Sequence, residues 1–214
     1  MHDLSRRKLL SLAAMAPLAG SLAAASRPGA VEDTPAMDRK RIQHKNFPNV
    51  PLINHEGKQV NFYDDLIKGK VVTINFFYAK CDEICPLVSA NLAKVQKLLG
   101  DQVGKNMFMY SISLKPEEDN VDVIRTYRNS WHDGPGWSFF TGKPSDIESI
   151  RRGIGFSYPD PAIDKDKTQH IGNVRYGNEP LMLWAACPGV AHAPWIAESF
   201  TWMMHPELNR VQKS

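Results

Sequence analysis

Cysteine is scarce in this chain: three residues in 214, at positions 81, 85 and 187. An odd count, with two of the three only four positions apart, excludes a scaffold stapled by disulfides and points to metal or redox chemistry instead. Aromatic residues are also few, at 9% of the sequence. No internal repeat or low-complexity domain is visible. Beyond the first 25 residues no apolar run approaches the roughly 20 residues of a membrane-spanning helix. Strong charge of one sign is missing too, because removal of residues 1–25 would leave 23 basic and 22 acidic side chains. Without a basic patch to collect phosphates, nucleic acid is excluded as a partner.

What is present begins with an N-terminal address. Ser5-Arg6-Arg7-Lys8-Leu9-Leu10 leads into an apolar Ala/Leu-rich run ending in Ala23-Ala24-Ala25, which suits a signal peptidase. The paired arginines resemble a twin-arginine export signal. A membrane anchor is the alternative, although the run from Leu9 to Ala25 contains Pro17 and Gly20. Residues 1–25 are therefore expected to be an export signal to the periplasm, cleaved or retained as a tether to the membrane. Residues 26–45 lack an apolar period and read as a flexible tether, and 46–214 as one folded domain of ordinary size.

Within that domain, Val50 to Asn54 and Gln59 to Phe62 flank a turn at His55-Glu56-Gly57, a hairpin ahead of the core. Asp64 to Gly69 reads as a short helical turn. Val71 to Tyr78 is β-branched and aromatic throughout, the pattern of a strand buried on both faces. Leu87, Val88, Leu92, Val95 and Leu98-Leu99 follow at helical spacing, stopped by Gly100. Met107 to Ser113 is a second strand, and Pro116-Glu117-Glu118 is expected to open a helix through Val121, Ile124 and Tyr127. Trp137 to Gly142 is a third strand, with Ser145 and Glu148 as a capping box for the next helix. Pro159 to Lys167 reads as a polar loop. Gly172 to Gly177 and Leu181 to Ala185 form a terminal hairpin, and Trp195 to Met204 a closing helix. The β-α-β-α order favours an α/β domain with parallel strands and crossover helices.

Cys81 and Cys85 fall where the best strand hands over to a helix. The positive end of a helix lowers a thiol's pKa, and residues four apart in a helical turn share a face, so both sulfurs can aim at one centre. A disulfide between them is also open if the loop relaxes. Two thiolates with one imidazole suit copper(I), since soft ligands select soft ions. Structural zinc wants four ligands, and no spacing compels His192, His205 or Cys187 to join. Asp82 and Glu83, between the cysteines, need no role beyond stabilising a first helical turn.

These elements together resemble the SCO/SenC family: the strand Val71 to Tyr78, Cys81-x-x-x-Cys85-Pro86, Ser111-Ile112-Ser113 followed by Pro116-Glu117-Glu118-Asp119, Trp137-x-Phe139-x-Thr141-Gly142, and a late His170. The resemblance runs from about residue 45 to 185. It implies a thioredoxin-like fold, with a central mixed sheet flanked by helices and extended by the N-terminal hairpin. It also implies copper-binding, redox-active Cys81 and Cys85, with His170 as the third metal ligand and Cu(I), or Cu(II), as the ion. The activity implied is copper delivery to the binuclear copper centre of cytochrome oxidase, or thiol reduction supporting it. Asp119-Asn120-Val121 stands where the family has Asp-Thr-Pro, and Ile171-Gly172 follows His170 in place of the usual Ser or Thr. The chain thus reads as a divergent branch whose client need not be cytochrome oxidase.

Two functions are expected to compete. A metallochaperone, which is not an enzyme, would hold Cu(I) on Cys81, Cys85 and His170 and pass it to a client copper protein. A thiol-disulfide oxidoreductase would use Cys81 and Cys85 on a client's disulfide-bearing site. A peroxidase of the peroxiredoxin kind would need Pro and Thr ahead of Cys81, where Phe76-Phe77-Tyr78-Ala79-Lys80 stands. Cys187 reads as a buried small side chain near Trp184, Met203 and Met204 as a helix face on the core, and the domain as a monomer.

Overall fold

The computed structural model describes residues 35–131, 134–166 and 172–207. Seven strands form one sheet: β1 (Pro51–Asn54), β2 (Gln59–Asn61), β3 (Val71–Phe77), β4 (Phe108–Ser113), β5 (Trp137–Gly142), β6 (Asn173–Asn178) and β7 (Leu183–Pro188). Their spatial order is β2-β1-β5-β4-β3-β6-β7. The centre is parallel, with β3 beside β4 and β4 beside β5, and antiparallel hairpins close both edges. This is the expected mixed α/β sheet, with β1 and β2 as the hairpin extension.

Strand β3 explains the layering. Its side chains alternate, so Val72, Ile74 and Phe76 enter one core while Phe77 enters the other. The first core also takes Leu52, Tyr110, Phe140 and Ile150. The second is closed by the buried stripe Cys85, Val88, Leu92, Val95 and Leu99 of α2 (Ile84–Leu99), at the spacing of one helix face. Polar side chains buried in the strands are stitched crosswise, with Trp137 Nε1 donating to Ser111 Oγ at 2.9 Å and Ser111 to Asn75 Oδ1 at 2.8 Å. Such satisfied bonds let a polar row sit inside the sheet.

Several elements depart from expectation. Part of the stretch read as a tether is helical: α1 (Pro35–Asn46) is polar and is held from outside, Arg39 donating to the carbonyls of Pro180 at 2.9 Å and Glu179 at 3.0 Å. Helix α3 (Val121–Trp131) starts after Pro116, because Asn120 Oδ1 accepts the N–H groups of Asp122 and Val123 and so caps it there. Helix α4 (Pro144–Gly153) begins with Pro144 after Lys143, so Ser145 lies inside it and makes no capping box; Glu148 instead binds Arg151 and Arg152. The polar loop after Pro159 contains a short α5 (Pro161–Lys165), with Asp160 accepting from Ala162 N–H at 2.8 Å. The turn Phe62–Ile67 is wound as a π-helix. The closing helix α6 (Ala193–Met204) packs on α2 and β6, with Met203 and Met204 against the core as expected. No helix among the described residues is long and apolar enough to cross a membrane.

Candidate thiol and metal site

The loop joining β3 to α2 carries both cysteines, and its geometry differs from two residues on one helical turn. Helix α2 starts at Ile84, so Cys85 is in its first turn while Cys81 precedes it, in a turn closed by Cys81 N–H donating to Tyr78 O at 3.2 Å. Asp82 and Glu83 also precede the helix and do not form its first turn. The two cysteines still converge. The free N–H of Cys85 donates to Cys81 Sγ at 3.4 Å, so a sulfur takes the part usually played by a capping oxygen. Both are free thiols, 7% and 1% exposed.

Their electrostatics are unequal. Burial pushes the Cys81 thiol up, but hydrogen bonds from the Cys85 thiol, the N–H groups of Cys85 and Glu83, and the Tyr78 hydroxyl more than offset it, and Cys81 stands below the ordinary thiol value. Cys85 is deeper. Burial raises its pKa, and donating its proton to Cys81 raises it further. One sulfur is thus drawn towards the thiolate while the other retains its proton, the asymmetry of an attacking and a resolving thiol. Tyr78 is pushed up to about 12 by burial and by its bond to Cys81, which keeps its hydroxyl a donor at neutral pH.

The neighbouring backbone approaches closely. An added Cβ on Gly189 would lie 2.7 Å from Val88 Cγ1 and 2.9 Å from Gly172 O, so the end of β7 reaches α2 only because no side chain intervenes. Gly189 N–H donates to Gly172 O. Asn91 of α2 donates to the carbonyls of Gly189 and Ala191 at 2.8 and 2.7 Å, tying that loop down. Gly172, at a φ of +120°, stands against Ile84 between the cysteines.

His170 lies outside the described residues. Among the described residues no three His, Cys, Asp or Glu side chains gather as a metal site. His192 is exposed, and His205 pairs with Glu207 at 3.2 Å, so neither joins the cysteines. Cys187 is buried as expected but not beside Trp184, because alternate residues of β7 face opposite ways: Trp184 packs against Phe47 with ring centres 4.7 Å apart in one core, while Cys187 shares the other core with Cys81 and Cys85. Burial raises its thiol to about 11, leaving it protonated.

Sequence reading missed Asp119 and Tyr78 as parts of the site. Asp119 is 1% exposed beneath the cysteine loop, its carboxylate accepting Ala79 N–H at 3.1 and 3.3 Å and the Ser113 hydroxyl at 2.5 Å. The local signal was the last acid of the run Glu117-Glu118-Asp119 after a buried strand, quoted above only as part of the family pattern.

A mixed sheet with a parallel centre and a thiol pair just beyond the carboxyl end of β3 defines a thioredoxin-like thiol domain. The SCO1/SenC family model matches residues 40–174, and the chain belongs to that family. Among curated relatives, protein SCO1 homolog 1, mitochondrial, of Arabidopsis thaliana is 29% identical over 107 residues, 50% of this chain and 31% of the relative. The SCO1 protein homolog of Bacillus subtilis is 29% identical over 99 residues, 45% of this chain and 50% of the relative. The matched part therefore spans half or less of those relatives' length. In fold, Arabidopsis thaliana ScoI with copper bound superposes with a TM-score of 0.58 at 19% identity, covering 75% of this chain and 99% of that one. BsSco, a member of the Sco family of cytochrome c oxidase assembly proteins in which a disulfide switch was identified, gives 0.56 at 22% identity over 74% and 94%.

Proposed function

We propose that this protein is a periplasmic copper metallochaperone, monomeric and exported by its first 25 residues, that carries Cu(I) as cargo on Cys81, Cys85 and His170. It passes the ion by ligand exchange to a client copper site such as the binuclear copper centre of cytochrome oxidase. The observation that carries the reading is the free, converging thiol pair, with one sulfur biased towards thiolate inside an apolar shelter. Soft ions favour such sulfur sites, and the dry surroundings limit competition from water. Copper-bound ScoI and the oxidase-assembly description of BsSco support the same cargo and client.

Anaerobic Cu(I) titration of the reduced protein against a competing chelator tests this. One tight equivalent is expected, weakened in His170→Ala and in Cys85→Ser. Weak binding indifferent to His170 would sink the reading.

The unequal thiols favour a second reading, thiol-disulfide exchange. The Cys81 thiolate would attack a client disulfide, forming a mixed disulfide and expelling one client thiolate, which takes up a proton. Cys85, losing its proton, would then attack Cys81 Sγ and release the second client thiol. The pair would end oxidised by two electrons and the client reduced by two. Turnover of a disulfide substrate that survives His170→Ala would single out this activity.

A further inference from the structure

Three contacts bind the cysteine loop to the loop that follows β4, and all converge on one stretch of backbone. Lys80 pairs with Glu118 at 3.0 Å, and the Lys115 ammonium lies 4.3 Å from the centre of the Tyr78 ring, both near the surface. Beneath them the Asp119 carboxylate holds Ala79 N–H, two residues before Cys81, together with the Ser113 hydroxyl. Ser113 Oγ in turn accepts Lys115 N–H at 3.0 Å, so one relay joins the ends of two neighbouring parallel strands.

This is a costly way to pin a backbone. Asp119 is buried and meets only neutral donors, with no salt bridge to a cation among the described residues. An unpaired buried carboxylate carries a desolvation penalty, set here against the bonds it accepts from Ala79 N–H and the Ser113 hydroxyl. The segment it holds is the one that aims the thiol. Tyr78 and Ala79 open the turn closed by Cys81 N–H on Tyr78 O, and the N–H of Cys85 donates to the Cys81 sulfur.

We infer that Asp119 is a positioning residue for Cys81: by gripping Ala79 N–H it fixes the Tyr78–Cys81 turn, which directs the sulfur at the N–H of Cys85. The inference rests on Cys81 being the working thiol, whether for copper transfer or for disulfide exchange. Asp119 touches neither sulfur in this role and acts through the backbone.

Site-resolved alkylation of the reduced full chain by iodoacetamide, followed by mass spectrometry, tests it, with buried Cys187 as the internal reference. Asp119→Ala is expected to slow labelling of Cys81 about tenfold, the scale of one lost hydrogen bond to a charged acceptor, while Cys187 stays protected. Asp119→Asn keeps an oxygen for Ala79 N–H and should return Cys81 to within about threefold of wild type. Wild-type labelling of Cys81 in Asp119→Ala would overturn the inference. So would Cys187 opening in step with Cys81, because the carboxylate would then be holding the whole fold. Loss in Asp119→Asn equal to that in Asp119→Ala would overturn the role of the Ala79 bond. The labelling needs no copper, so a chain that fails the copper titration yet shows the Asp119 dependence would refute the cargo and leave the positioning role intact.

Discussion

Two buried carboxylates, Asp164 and Asp119, show opposite ways of placing an acid in a protein interior. Asp164 accepts both terminal nitrogens of Arg151 at 2.8 Å, and Arg152 and Tyr158 N–H as well. Arg151 is itself 1% exposed and is shared with Glu148. These bonds, led by the Arg151 guanidinium, outweigh burial and hold the Asp164 carboxyl far below the usual carboxylate range. Asp119 has only a hydroxyl and an amide for company, and burial raises its carboxyl despite them. The first arrangement locks α4 to α5 and is neutral in charge locally. The second leaves an uncompensated acid below the reactive thiols, where geometry matters more than stability.

The largest test of that contrast is removal of one member of the paired site. Arg151→Met or Asp164→Asn strands a buried ionic or polar partner and should cost about 3–5 kcal/mol in urea unfolding. Labelling of Cys81 relative to Cys187 should not change in the folded protein. If stability held and Cys81 labelling fell, the two carboxylates would have exchanged roles.

Acid should separate them next. The Asp164 carboxyl lies below its unfolded value of about 3.9, so its contribution is complete above that pH and is lost as the pH falls towards the folded value. Asp119 lies above its unfolded value, so its contribution is complete below about pH 3.9 and is lost as the pH rises through the folded one. Asp119→Asn should therefore gain stability over wild type as the pH rises towards neutrality, by less than the loss in Asp164→Asn. Urea midpoints across pH 3 to 8 give the sign, and a gain that shrinks with rising pH contradicts it.

Smaller effects sharpen the picture around the loop. Asn91→Ala, which frees two carbonyls beside the thiol site, should cost about 1–2 kcal/mol in urea unfolding. Glu118→Gln breaks only an exposed ion pair with Lys80 and should leave the thermal midpoint unchanged within error, with Cys81 labelling near wild type. A marked loss of labelling there would move the positioning role from Asp119 to the surface pair.

Legibility followed the reach of each interaction. Strands β3, β4 and β5 announce themselves as short, largely apolar runs buried on both faces, and helices α2 and α6 by apolar residues at every third and fourth position. Helix α1 has no apolar stripe to read; it is fastened through Arg39 and Gln43 to Glu179, whose carboxylate also takes Gly69 N–H and the Tyr63 hydroxyl. The Ser145-Glu148 pattern misled for the opposite reason. Its local form was right, but Pro144 already occupied the first helical position and Glu148 was engaged with two arginines. In the site, the thiol pair was visible as two cysteines at a strand-to-helix junction. Tyr78 and Asp119 were not, since nothing in the run Phe76-Phe77-Tyr78 marks a hydroxyl that reaches Cys81, and Asp119 meets Ala79 across 40 positions.

By itself the sequence determined where the thiol pair sits: a continuous buried strand must end, a helix must begin, and Cys81 and Cys85 occupy that exchange. Only the tertiary structure decided that the Cys81 thiol stands below its ordinary pKa while that of Cys85 stands above it, that Cys187 faces the same core, and that a buried acid holds the loop at Ala79. Those outcomes depend on burial and on hydrogen bonds between segments far apart in the chain, which no local pattern of residues encodes.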